Sequence, residues 1–71
     1  MTNLSDLEAQ VLRYIADARK EDGGIYLTRI IGHFIGVEPW EVETALAKLH
    51  HGRLVRIVGR EKTLQRVFLN A

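Results

Sequence analysis

Seventy-one residues, 46% of them hydrophobic, favour a single folded domain near the lower size limit for a self-supporting core over a disordered chain. The absence of cysteine excludes a disulfide framework and a thiolate metal site, and suits a reducing cytoplasm, where this protein is expected to reside. A formal net charge of +1 decides nothing about nucleic acid by itself, so only the distribution of charge can.

Leu4 precedes Ser5-Asp6-Leu7-Glu8, a Ser-x-x-Glu capping box that opens a helix predicted over residues 5–21. Leu7, Val11, Tyr14, Ile15 and Ala18 recur at helical spacing and give it one core-facing stripe. Asp22-Gly23-Gly24 ends it, because paired glycines form turns more readily than helix. A second, weaker stripe runs through Ala9, Leu12 and Ala16. Small residues on a solvated face are one reading of it; a helix-to-helix seam in a homodimer is the other.

Ile25-Tyr26-Leu27 is too short for a helix and reads as a brief strand, 25–27. Thr28 is then the cap of a helix over 28–35, with Ile30, Ile31 and Phe34 as its apolar side. Gly36 is placed to stop that helix in a left-handed conformation, and Val37 turns inward. Glu38 and Pro39 start the next helix, 39–51, where proline's fixed φ suits the first turn. Glu41 adds an echo of a capping box. Val42, Ala45, Leu46 and Leu49 form its inner stripe until Gly52 ends it. Two helices joined this tightly cross rather than lie antiparallel, so the second is presented outward as in a helix-turn-helix. Two β-rich runs, Leu54–Val58 and Leu64–Leu69, flank the polar Gly59-Arg60-Glu61-Lys62-Thr63 and make a hairpin over 54–69. A lone hairpin is marginal, so the first short strand is expected to join it as a third.

No apolar run approaches the ~18 residues of a membrane span, and MTNLSDLEAQ is not a signal peptide. No nucleophile has a credible base and orienting group, so an enzyme is not expected. His50 and His51 point about 100° apart on a helix and cannot share a metal in the i, i+4 manner; surface histidine is the expectation for both and for His33. There is no phosphate loop either, and neither metal nor cofactor is expected.

Charge by segment is more informative. Ser5 to Asp22 holds five acidic residues against three basic ones, whereas from Arg53 onward five basic residues face only Glu61. A charged hairpin can be a solubilised sheet edge. Arg60 and Lys62 at its tip, with Arg56 and Arg66 on facing strands, could equally make a strip for phosphates. Opposite the inner stripe of the 39–51 helix stand Trp40, Thr44, Ala47 and His51, flanked by Lys48 and Glu43. Thr44 and Ala47 suit a thymine methyl, and Lys48 or His51 a guanine acceptor. Glu38, Glu41 and Glu43 crowd the first turns and would meet phosphates as like charges. Trp40 either folds back on the domain or is a contact residue of the kind enriched at protein hot spots. Arg29, beside Thr28, is placed as a phosphate contact or as a solvent-exposed arginine.

Leu4-Ser5-Asp6-Leu7-Glu8, Gly36-Val37-Glu38-Pro39, and Leu46-Ala47-Lys48-Leu49 leading into Gly52-Arg53-Leu54-Val55-Arg56 resemble the winged helix-turn-helix family over nearly the whole chain. That resemblance implies an α+β fold of three helices and a small antiparallel sheet, in the order helix, strand, helix, helix, strand, strand. It implies a dimeric transcriptional regulator on double-stranded DNA, or, as in a minority of the family, a protein-interaction module built on Trp40 and the acidic helix start. On the first reading the DNA contacts are Thr28, Arg29, Trp40, Thr44, Ala47, Lys48, His51, Arg56, Arg60 and Lys62.

Overall fold

A short Ser-x-x-Glu sequence sets the first element in place. The Ser5 N–H donates to Glu8 Oε1 at 2.8 Å and the Glu8 N–H to Ser5 Oγ at 3.2 Å, so two orphan donors at the helix start are satisfied reciprocally. The structure is a computed structural model and describes residues 4–18, 24–61 and 64–70. Within them, helix α1 spans Asp6–Ala18; residues 19–21 and the expected stop at Gly23 lie outside the described residues. Val11 and Ile15 are fully buried, and Leu7, Tyr14 and Ala18 pack against the same core.

Strand β1 is Ile25–Tyr26 and helix α2 is Leu27–His33, so the strand is one residue shorter than expected and the helix begins one residue earlier. The reason is tertiary. The Leu27 N–H donates to the Gln65 carbonyl at 2.9 Å, and its side chain is buried in the core. Tyr26 therefore takes the cap position, without a side-chain cap bond, and Thr28 sits exposed inside the first turn. Helix α2 also stops early, at His33, with Phe34 outside it at φ −92°, ψ 71°. Gly36 is left-handed at φ +90°, as its type suggested, but it shapes the turn after the helix instead of capping it.

Helix α3 spans Pro39–His51 with the expected bounds. The Glu38 N–H donates to Glu41 Oε2 at 3.1 Å, and Val42, Ala45, Leu46 and Leu49 are buried. Strands β2, Val55–Val58, and β3, Arg66–Leu69, are each shorter than the apolar runs that predicted them. The Leu54 N–H is spent on Leu49 of α3, and that of Leu64 on Glu61 in the loop, both at 2.9 Å.

The sheet is three-stranded and antiparallel in the order β1-β3-β2. Ile25 pairs with Val67, and Val67 with Ile57; Tyr26 pairs with Arg66, and Arg66 with Val58. Alternation then puts Ile25, Val55, Ile57 and Val67 on the helix-facing side. Tyr26, Arg56, Val58, Arg66 and Phe68 fall on the outer side. The result is a small α+β domain in which three helices cover one face of the sheet around a single cluster of buried residues. Among the described residues no helix is long and apolar enough to cross a membrane.

Candidate functional site

Since α3 is held by its Val42, Ala45, Leu46 and Leu49 side, helical geometry leaves the opposite side to solvent. Trp40, Thr44, Ala47, Lys48 and His51 are all exposed, and the indole of Trp40 is 63% accessible. Trp40 therefore does not fold back into the domain. Thr44 Oγ1 donates to the Trp40 carbonyl at 2.8 Å, so its hydroxyl is spent within the helix.

Two grooves flank this ridge. On one side Trp40, Thr44 and Lys48 line a shallow groove with Ser5 and with Leu7 of α1. On the other, Ala47 and His51 join Leu27, Ile57 and Gln65 around an open wedge of about 480 Å³ between α3 and the hairpin. Leu27 brings the start of α2 to this wedge, and the exposed Thr28 and Arg29 follow it directly.

The glutamates that would oppose an anion are not arrayed together on the ridge. Glu41, half-buried, accepts from the Glu38 backbone and lines the α1-side groove. Glu43, also half-buried, lines the wedge on the other side. Of the three, Glu38 alone is exposed, and it sits before the helix starts.

The basic residues divide between two surfaces. Arg60 is exposed at the hairpin turn; Lys62 lies outside the described residues. Arg56 and Arg66 share the outer face of the sheet, so their register agrees, but that face is turned away from α3. Each lies over an aromatic ring: Arg56 is 5.1 Å from the centroid of Phe68, and Arg66 is 4.8 Å from that of Tyr26. Arg66 Nη2 also donates to Tyr26 Oη at 2.8 Å. The structure thus gathers Trp40, Thr44, Ala47, Lys48 and His51 on one helix, leaves Thr28 and Arg29 exposed at the start of α2, and sets Arg56 apart from α3.

Of the suggested seam on α1, Ala9 is exposed, Ala16 is half-buried, and Leu12 packs against the core. All three histidines are exposed, as expected, and two of them also bridge elements. His33 stacks on Tyr14 at 4.0 Å with Phe34 edge-on to both, tying α2 to α1. His50 Nδ1 lies 3.3 Å from the Val55 carbonyl, linking α3 to β2. Neither role has a sequence signal, because each depends on which elements meet.

Tyr26 and Phe68 could have been found. They alternate with the buried Ile25 and Val67, and this places them beside the outer-face arginines once the strands are paired. Comparisons with protein-family models, with curated proteins and with solved structures find no match to this chain.

Proposed function

We propose that this domain is a winged helix-turn-helix that binds duplex DNA and regulates transcription, with α3 in the major groove. One observation carries the reading. Helix α3 is anchored along one side and presents Trp40, Thr44, Ala47 and His51 to solvent along the other, beside the β2–β3 hairpin. A helix so held can enter a groove of about 12 Å width without unfolding anything. Thr44 and Ala47 meet thymine methyls, and Lys48 or His51 meets a guanine acceptor. Thr28 and Arg29 at the start of α2 meet a phosphate, and Arg60 with Lys62 follows the backbone from the hairpin. Arg56 and Arg66 act only through the positive field of the far face.

The test is fluorescence anisotropy on a random duplex across a salt series. Four cationic contacts give log affinity against log salt a slope of about −3.6. The double substitution Arg60→Ala, Lys62→Ala weakens binding equally on all sequences. Affinity that is flat in salt and unchanged in that variant refutes the assignment. Sedimentation in the same buffers shows whether two copies assemble; with Leu12 packed on the core, the Ala9, Leu12, Ala16 stripe gives a homodimer little support.

A second reading has its own observation. The exposed indole stands over a groove shared with Ser5 and Leu7, the type of anchor that dominates protein–protein hot spots. Trp40→Ala abolishes a protein complex but only trims DNA affinity, and so separates the two readings.

A further inference from the structure

The sheet leaves one side open, and the phase of its ladder says which groups face outward. The Asn70 N–H donates to the Leu54 carbonyl at 3.0 Å, and the Leu27 N–H to the Gln65 carbonyl at 2.9 Å. With Val55 opposite Leu69 and Ile25 opposite Val67, the peptide groups of Arg56 and Val58 point at β3, while those of Val55 and Ile57 point away from it. His50 meets the Val55 carbonyl. Among the described residues the N–H and C=O of Ile57 meet nothing.

The side chains beside that gap differ by face. Ile57 lines the wedge with Leu46 and Ala47, whereas Arg56 and Val58 stand on the outer side, Val58 half exposed. A strand laid along β2 would send alternate side chains toward the wedge and over Arg56.

We propose that the β2 edge takes an extended acidic peptide as an added strand, with an apolar residue opposite Ile57 entering the wedge and carboxylates on either side of it facing Arg56. Charge selects the occupant. Strands β2 and β3 carry Arg56 and Arg66 and no acidic residue. Glu43 in the wedge disfavours an acid there, which makes the wedge-facing positions the apolar ones. A second copy of this chain fits poorly, since β2 against β2 gathers both sets of arginines on one face with no carboxylate on either strand. The proposal does not depend on α3 gripping DNA.

Titration of 15N-labelled protein with a capped six-residue peptide alternating valine and glutamate tests it, with a valine–lysine peptide as control. At about ten times Kd, exchange of the Ile57 amide slows about tenfold on the glutamate peptide, because only the unbound fraction exchanges. The lysine peptide leaves that amide unmoved. Arg56→Glu, at an exposed position, reverses the preference. Ala47→Phe, also at an exposed position, fills the wedge and weakens the glutamate peptide. Equal response to both peptides overturns the proposal, as do shifts confined to Trp40 and Thr44. A short duplex DNA that protects Ile57 where the peptide does not also overturns it, and makes the strip a phosphate contact. DNA affinity that is flat in salt and unchanged in Arg60→Ala, Lys62→Ala, with peptide protection intact, would leave this proposal standing alone.

Discussion

Helix α3 ends with its glycine one place too early. Gly52 sits at φ −79°, ψ 2°, a conformation open to any residue, and Arg53 takes the left-handed position at φ +63°. The closing hydrogen bonds are those of a Schellman motif: Arg53 N–H to the His50 carbonyl at 3.0 Å, and Leu54 N–H to the Leu49 carbonyl at 2.9 Å. Asn70 Nδ2 then donates to the Arg53 carbonyl at 2.9 Å and holds the turn from the other end of the chain. A left-handed residue with a Cβ costs about 1–2 kcal/mol, and the extra unfolded-state freedom of glycine returns about 0.5–1 kcal/mol. The guanidinium also favours the helix C-terminus by about 0.3–1 kcal/mol at an exposed site, so wild type against Arg53→Gly mixes two effects. Comparing Arg53→Gly with Arg53→Ala cancels the charge and leaves the backbone. Glycine should be the more stable of the two by about 0.5–1 kcal/mol, or roughly 5 °C in Tm for a domain of this size. Urea and thermal melts followed by circular dichroism at 222 nm measure that gap. Equal midpoints, or alanine above glycine, would refute the claim that this turn is strained.

Gly24 is the reverse case, with φ +79° and a would-be Cβ 2.9 Å from two atoms of the Phe68 ring. Gly24→Ala adds backbone strain to overpacking and should lower stability by about 2 kcal/mol or more in urea titrations; a neutral result would mean the Phe68 ring moves freely. Ser5→Ala leaves the Glu8 N–H without its acceptor and should cost about 1 kcal/mol, with Ser5→Thr restoring most of it in the same melt. Trp40→Ala should shift stability by no more than about 0.5 kcal/mol, since an exposed indole contributes little packing. A larger loss in its chemical melt would show that the ring supports the fold rather than a partner.

What the sequence carried best was periodicity backed by local chemistry. Val42, Ala45, Leu46 and Leu49 announced the buried side of α3, and Glu38-Pro39 with Gly52 marked its ends. The outward side followed by subtraction. Leu27 belongs to α2 although, in isolation, an apolar residue after Ile25-Tyr26 extends a strand pattern. Its membership of α2 is decided by burial and a bond to Gln65, far along the chain. The separation of Arg56 from α3 needed the strand register, which no local pattern states. The cation–π pairs needed it too, since Tyr26 and Arg66 meet only because β3 lies beside β1. The left-handed Arg53 contradicts the usual preference outright. The neighbouring Gly52 ends the helix as its type implies, but without a positive φ.

The position of β3 between β1 and β2 has a consequence for how the chain is made. Of the three strands it leaves the ribosome last, and among the described residues both others pair only with it. Until Arg66–Leu69 emerges, the inner face of Ile25 and Val55 has no ladder to hold it, and the helices have no floor to pack on. Secondary structure can form along the way, but the sheet closes in one late step, and any break in synthesis before that point leaves two unmatched edges exposed.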